Sequence, residues 1–180
     1  MSAIVAAAPR DVQMPRTVDP RGFKQGMRAL AGAVAILATE DPDHGCCGLT
    51  ATAVCSFSAD PPSLLVCINQ KSSMAAGIRE GSPLSINLPA TDQEHVARAF
   101  GGMTTAKGVA RFSAGSWARG ESGAPILIGA RAVFECSVGE VIARSSHLIV
   151  IGLVLAVTLD REGREPLVYA DGRFATACNR

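Results

Sequence analysis

Gly48-Leu49-Thr50-Ala51-Thr52-Ala53-Val54-Cys55-Ser56-Phe57-Ser58, the turn Asp60-Pro61-Pro62, and Ser63-Leu64-Leu65-Val66-Cys67-Ile68-Asn69 form the stretch that decides the class of fold. Two runs rich in Val, Ile, Leu and Thr flank a proline turn whose fixed φ sends the chain straight back, so the two runs read as closely paired strands. Working outward, residues 33–39, 84–88, 130–143 and 148–159 share that composition, are bounded by Gly, Pro, Asp or Asn, and also read as strands. Phe23, Met27, Leu30 and Ala31 recur at helical spacing and predict a short helix ending near Gly32. Shorter helical patterns cover 73–79, with Met74, Ala75 and Ile78, and 93–100, with Val96, Ala97 and Phe100. Neither has the form of a full βαβ crossover. Strands outnumber helices and their turns are short, so an antiparallel barrel with a few covering helices is expected rather than a doubly wound sheet. No G-x-G-x-x-G follows a strand, which independently disfavours a Rossmann site. In the last long strand Leu148, Val150, Val154 and Ala156 face one way and Ile149, Ile151, Leu153 and Leu155 the other. Both faces are apolar, so one is expected to fill the barrel and the other to meet a helix or a second subunit.

The chain has 180 residues, enough for one domain with a sizeable core. A folded domain over 19–180 behind a flexible arm over 1–18 is expected. Lys and Arg number 17 against 16 Asp and Glu, a net charge of +1, so no basic field exists to hold nucleic acid. A hydrophobic fraction of 48% with 18% charged residues is lean in polar surface, and a homo-oligomer is expected. Cys46, Cys47, Cys55, Cys67, Cys136 and Cys178 lie mostly in apolar runs with no C-x-x-C, so they read as small buried hydrophobes rather than metal ligands. The apolar opening lacks a basic n-region, and the uncharged run 147–158 is too short to span a bilayer. No membrane association is expected, and the cytoplasm is the expected location.

Thr50, Thr52, Ser56 and Ser58 share one face of the strand read over 48–58. Such a hydroxyl row suits either a solvent-facing edge or a flat polar ligand, since cofactor sites combine apolar walls with a few placed hydroxyls and backbone groups. Asn69-Gln70-Lys71-Ser72-Ser73 puts a cation, two hydroxyls and free N–H groups before a short helix. That is either a phosphate seat or an ordinary N-cap beside a solvated lysine. His147 opens the last strand, as a satisfied structural histidine or as a functional one; His44 and His95 read as surface residues. Tyr169 and Arg173 flank Asp171-Gly172 in a terminal hairpin. With no G-x-S-x-G, no G-K-[ST] loop and no metal-spaced histidine pair, hydrolase, triphosphatase and metalloenzyme chemistry lack their residues, and cofactor chemistry remains.

The run from Gly48 to Ser56, Asp60-Pro61-Pro62 with Leu65-Val66-Cys67-Ile68-Asn69, Ser85-Ile86-Asn87-Leu88, and Ala99-Phe100-Gly101-Gly102-Met103 occur in that order. Arg111-Phe112, Trp117, Gly123-Ala124-Pro125-Ile126-Leu127 and Pro166-Leu167-Val168-Tyr169 follow. From about Phe23 to Phe174 the chain resembles the flavin reductase-like, FMN-binding split-barrel family, above all the reductase components of two-component aromatic monooxygenases such as 4-hydroxyphenylacetate 3-monooxygenase. The resemblance implies a mainly β, Greek-key split barrel that forms a homodimer. It implies hydride transfer from NADH, or NADPH, to non-covalent FMN or FAD, with reduced flavin diffusing to a partner monooxygenase. It further implies that Thr50, Ala51, Thr52, Ser56 and Phe57 line the isoalloxazine, that Ala33 and Val34 touch it, and that Phe100 closes over its side or over an adenylate. Asn69, Lys71, Ser72 and Ser73 would hold the ribityl phosphate. His147, Tyr169 and Arg173 would face the nicotinamide nucleotide, His147 being the one candidate for catalysis by relay; no metal is implied. The family's Gly-Asp-His or Gly-Thr-His is here Ser145-Ser146-His147, a departure bearing on NADH against NADPH, and 104–110 departs from the family's charged cluster. Reduction of another acceptor such as a corrin, and non-catalytic flavin or haem binding, are the rival functions of the same barrel.

Overall fold

The computed structural model describes residues 16–43 and 45–177. Most of the arm expected over 1–18 lies outside the described residues, as do His44 and Cys178. The first described element is helix α1 (Pro20–Arg28), started by the Asp19 carboxylate, which accepts from the N–H groups of Arg21 and Gly22, with Pro20 in the first turn. There follow strands β1 (Gly32–Ala33), β2 (Ala35–Asp41), β3 (Gly45–Ala51), β4 (Val54–Ala59) and β5 (Pro62–Asn69), then helix α2 (Ser73–Gly77) and β6 (Pro83–Leu88). Helix α3 (Glu94–Phe100), a 3-10 turn at Gly108–Ala114, and strands β7 (Trp117–Arg119) and β8 (Pro125–Leu127) come next. Strands β9 (Ala132–Arg144), β10 (His147–Leu159), β11 (Leu167–Ala170) and β12 (Arg173–Thr176) are the last of the described elements. The protein is thus mainly β with a few short helices, and every described strand pairing is antiparallel.

Seven strands form one sheet in the order β3-β2-β6-β9-β10-β5-β4. Its two edge strands, β3 and β4, are consecutive in the chain and separated by Thr52 and Ala53 alone. The sheet therefore curls until its edges meet at that link, past which the Cys67 N–H donates to the Ala53 carbonyl at 3.1 Å and extends the β4–β5 ladder. This corrects the expectation of one continuous strand over 48–58: the run is two strands on opposite edges, so its hydroxyls do not share a face. The strand expected over 33–39 is likewise divided, with Gly32 and Ala33 pairing β11 and β2 running on to Asp41.

Strict alternation along β2 divides two cores. Ala35 and Leu37 point into the curl with Ile68, Met74, Leu84, Ile86 and Val150. Val34 and Ile36 point outward beneath α3, packing with Val96, Ala97, Phe100, Leu127 and Leu167. The β7–β8 hairpin, unread in the sequence, is fixed to the sheet by buried Asn87, whose amide donates to the Ile36 carbonyl (3.0 Å) and the Ser85 hydroxyl (2.9 Å) while its Oδ1 accepts from the Leu127 N–H (2.8 Å). Two apolar surfaces stay uncovered. Helix α1 buries none of its residues, and Phe23 is 58% exposed. Along β10, bulges interrupt the pairing with β9, β5 reaches only to Leu153, and Leu153, Leu155, Val157 and Leu159 remain exposed. Among the described residues no helix is long and apolar enough to cross a membrane.

Candidate functional site

A cleft of about 410 Å³ opens where the sheet edges meet. Its walls are the end of β3 with its continuation, from Leu49 through Ala53; the end of β5 with Cys67, Asn69 and Ser72; His147; and Gly101, Gly102 and Arg111 beyond α3. A second hollow of about 190 Å³ adjoins it, sharing Thr50, Ala51, Thr52 and Gly101 and adding Val34, Met103, Tyr169 and Phe174. Apolar walls with a few hydroxyls, a guanidinium and an imidazole suit a flat, partly polar ligand.

Thr50 donates its hydroxyl proton to the Ala97 carbonyl at 2.8 Å, so it joins β3 to α3 and offers a ligand only its lone pairs. Thr52 is exposed on the junction and lines both hollows. Ser56 and Phe57 lie beyond the break on β4, exposed, and line neither hollow; Ser58 closes its own turn by bonding Asp60. The expected hydroxyl row is thus halved. Phe100 was expected to close over the ligand, but it is 1% exposed. It packs edge-on against Phe112 (centroids 4.9 Å apart) and beside Trp117 (5.2 Å), so it forms the floor of the cleft rather than a cover. Val34 reaches the second hollow, whereas Ala33 lines neither.

At the far end Asn69 and Ser72 line the cleft, and Lys71 and Ser73 do not. The Asn69 side chain accepts from the Lys71 N–H (2.9 Å) and Ser72 caps α2 by accepting from the Ala75 N–H (3.3 Å). Gln70 joins this turn to the β9–β10 turn through the Ser145 and Ser146 carbonyls. That brings His147 opposite Asn69 in the β10–β5 ladder. The Ser146 hydroxyl lies 2.8 Å from His147 Nδ1, leaving Nε2 as the ring atom available to a ligand. Tyr169 stacks edge-on with Phe174 at 5.2 Å in the second hollow, while exposed Arg173 lines neither.

Arg111 was given no role from sequence. Its guanidinium donates to the Phe100 carbonyl at 3.3 Å and faces the cleft as the one arginine or lysine of its lining. It sits in a 3-10 turn with no periodic signal, so only the three-dimensional arrangement reveals it. Among the described residues no cluster of His, Cys, Asp or Glu could hold a metal ion. Burial pushes the Cys136 thiol up to about 12, with Glu135 adding to it, and raises Cys46 and Cys47, so these three thiols are not poised for redox work. Cys55, expected to be buried, is exposed on β4.

Residues 27–177 match the family described as the flavin reductase like domain. The chain is 40% identical over 152 residues to the 4-hydroxyphenylacetate 3-monooxygenase reductase component of Escherichia coli, covering 84% of this chain and 88% of that protein. It is 39% identical over 160 residues to an FMN reductase (NADH) of Methylorubrum extorquens, covering 89% and 77%. Among solved structures, the flavin reductase component of a bacterial two-component tryptophan halogenase superposes with a TM-score of 0.79 at 30% identity, over 90% of this chain and 100% of that one. The NADH:FAD oxidoreductase of Streptomyces globisporus C-1027, in complex with NAD and FAD fragments, gives 0.79 at 26% identity, over 91% and 98%. With the match running through nearly every described element, from the last turn of α1 to the end of β12, this chain belongs to the flavin reductase like domain family.

Proposed function

We propose that the protein is an NADH-dependent flavin reductase, with residues 19–180 forming a split-barrel domain in a cytoplasmic homodimer, and that its reduced FMN or FAD diffuses to a partner monooxygenase. The observation that carries this reading is the cleft on the sheet junction. It combines an aromatic floor, exposed backbone from Leu49 to Ala53, one guanidinium and one imidazole, with no carboxylate in its lining. Bound flavin supplies the redox chemistry, accepting at N5 the hydride that leaves nicotinamide C4. The chain need only hold the two rings in contact and exclude water, which matches a site without an acid–base dyad. Thr50, Ala51 and Thr52 border the ring edge, Asn69 and Ser72 meet the ribityl phosphate, and Tyr169 and His147 flank the nicotinamide. Arg111 offsets the negative charge that accumulates on the acceptor.

The test is NADH oxidation by the purified protein with FMN, FAD or riboflavin, repeated with NADPH. Turnover that depends on added flavin is expected, and none with any pair would overturn the proposal. In the same assay His147→Ala should lower kcat/KM for NADH by about tenfold, roughly 1.4 kcal/mol of transition-state stabilisation, with flavin affinity unchanged. An unaltered rate would remove His147 from the site.

The homodimer is supported by the uncovered ladder on β10. Leu155 is 63% exposed, and on a free surface a lysine there would alter stability by no more than about 0.5 kcal/mol. Buried between subunits, an unpaired charge costs far more. Sedimentation equilibrium should therefore give a dimer for the native chain and a folded monomer for Leu155→Lys; equal masses would place the interface elsewhere.

A further inference from the structure

The β9–β10 turn delivers the imidazole of the cleft, yet burial does not hold it in place: none of residues 143–147 is buried. Its backbone is unfavourable in itself, because Ser145 stands at φ 49°, in the left-handed region that costs a residue with a Cβ free energy. Such a conformation persists only where its surroundings over-determine it. Here the brace is Gln70, which follows β5 directly. Its backbone N–H donates to the Ser146 carbonyl at 3.0 Å, and its side-chain Nε2 donates to the Ser145 carbonyl at 3.1 Å and the His147 carbonyl at 3.3 Å. One residue thus holds three successive carbonyls of the turn, and its amide uses both N–H groups to do so. Gln70 is exposed and lines neither hollow of the flavin site. What it governs is His147. The imidazole enters the cleft from the first residue of β10, and the Ser146 hydroxyl, 2.8 Å from Nδ1, orients the ring. A shift of the backbone over 145–147 would move both the ring and the hydroxyl that orients it.

We propose that Gln70 is a positioning residue for hydride transfer: by bracing the Ser145-Ser146 turn it keeps His147 Nε2 directed at the nicotinamide. This rests on the flavin reductase reading, which sets His147 beside that ring. Transfer between stacked rings is sensitive to placement, a misplacement near 1 Å costing up to about 100-fold, so a side chain that touches neither ring still enters the rate. The same role accounts for an exposed glutamine whose described side-chain bonds all go to the main chain of one turn, 75 and 77 positions away in sequence.

The test is a double-mutant cycle on NADH oxidation with added FMN. Gln70→Glu keeps the shape of the side chain but sets a carboxylate, which only accepts, against carbonyls that also only accept. In the native background it should lower kcat/KM for NADH by about fivefold. In His147→Ala, where no ring is left to place, it should lower it no further. Gln70→Met removes the donor without adding charge and should behave alike, which separates loss of the brace from repulsion of the nucleotide. Flavin affinity should be the same in all these proteins, since Gln70 is no part of the cleft lining. Equal losses in both backgrounds would make Gln70 a merely structural residue and overturn the inference, as would a native rate in Gln70→Met or a loss confined to flavin affinity. Failure of the underlying reading looks different: no NADH oxidised by the native chain with any flavin, or a native rate in His147→Ala, removes the site that Gln70 serves and the inference with it.

Discussion

Gly48→Val is expected to produce a chain that has lost both flavin binding and about 3 kcal/mol or more of stability, at the upper end of what overpacking costs. Gly48 stands on β3 opposite Ala38, where the outer face of the sheet receives α3. A Cβ built there would lie 2.7 Å from the Leu37 carbonyl oxygen and 2.7 Å from Phe100 Cε1. Neither neighbour can yield. The carbonyl belongs to a central strand, and the Phe100 ring is locked by Phe112 and Trp117. The strand and helix must separate instead, and they carry the two sides of the cleft, Thr50 and Gly101. Urea unfolding and quenching of flavin fluorescence would read the two losses; an unchanged midpoint with normal flavin affinity would show that the aromatic floor can move aside.

Asn87→Leu should be nearly as damaging by a different route. The side chain is fully buried and all its described bonds are to buried partners. Leucine matches its size but takes the acceptor from the Leu127 N–H and the amide donor from the Ile36 carbonyl and the Ser85 hydroxyl, and a buried group so stranded costs about 1–3 kcal/mol. A total near 3 kcal/mol is expected. The loss is directional, because the broken bond to Leu127 frees the β7–β8 hairpin from the sheet. That hairpin carries Trp117, the chain's single tryptophan, whose ring closes the cluster beneath the cleft. Tryptophan fluorescence should therefore change at temperatures below the main thermal transition. Coincident transitions at the native temperature would mean that the hairpin is held by its other contacts.

Local pattern carried the strands, the short helices, the Asp171-Gly172 turn, with both residues at positive φ, and the hairpin through Asp60-Pro61-Pro62. What the pattern could not carry was the exchange of partners at Thr52 and Ala53. Composition is uniform across that break, and whether a strand stays with one neighbour or departs to the opposite edge depends on pairings far away in sequence. The same blindness halved the hydroxyl row: Thr50 and Ser56 have the even spacing of one strand, yet stand on two. Asn69 and His147 were legible because one ends and the other begins a strand beside turn residues, and Tyr169 because it stands in the hairpin that Asp171-Gly172 closes. Arg111 and the β7–β8 hairpin were not, for a seven-residue 3-10 turn and three-residue strands show no period. Phe100 was found for its neighbourhood and misjudged in orientation, since helical spacing reports that a ring is inward but not which side of it a ligand would meet.

The meeting of β3 and β4 has a thermodynamic consequence. No described backbone pairing joins those strands directly, so the closure of the sheet depends on the two-residue link of Thr52 and Ala53. A ligand in the cleft touches Thr50 on one edge and Cys67 behind the other, and so acts as a removable rung across a ladder that the chain itself leaves open. Its binding energy then becomes closure energy: at a free concentration 100 times Kd, occupancy adds about 2.7 kcal/mol to the folded state. The supply of flavin and nucleotide would set not only how fast the protein turns over but how much of it persists.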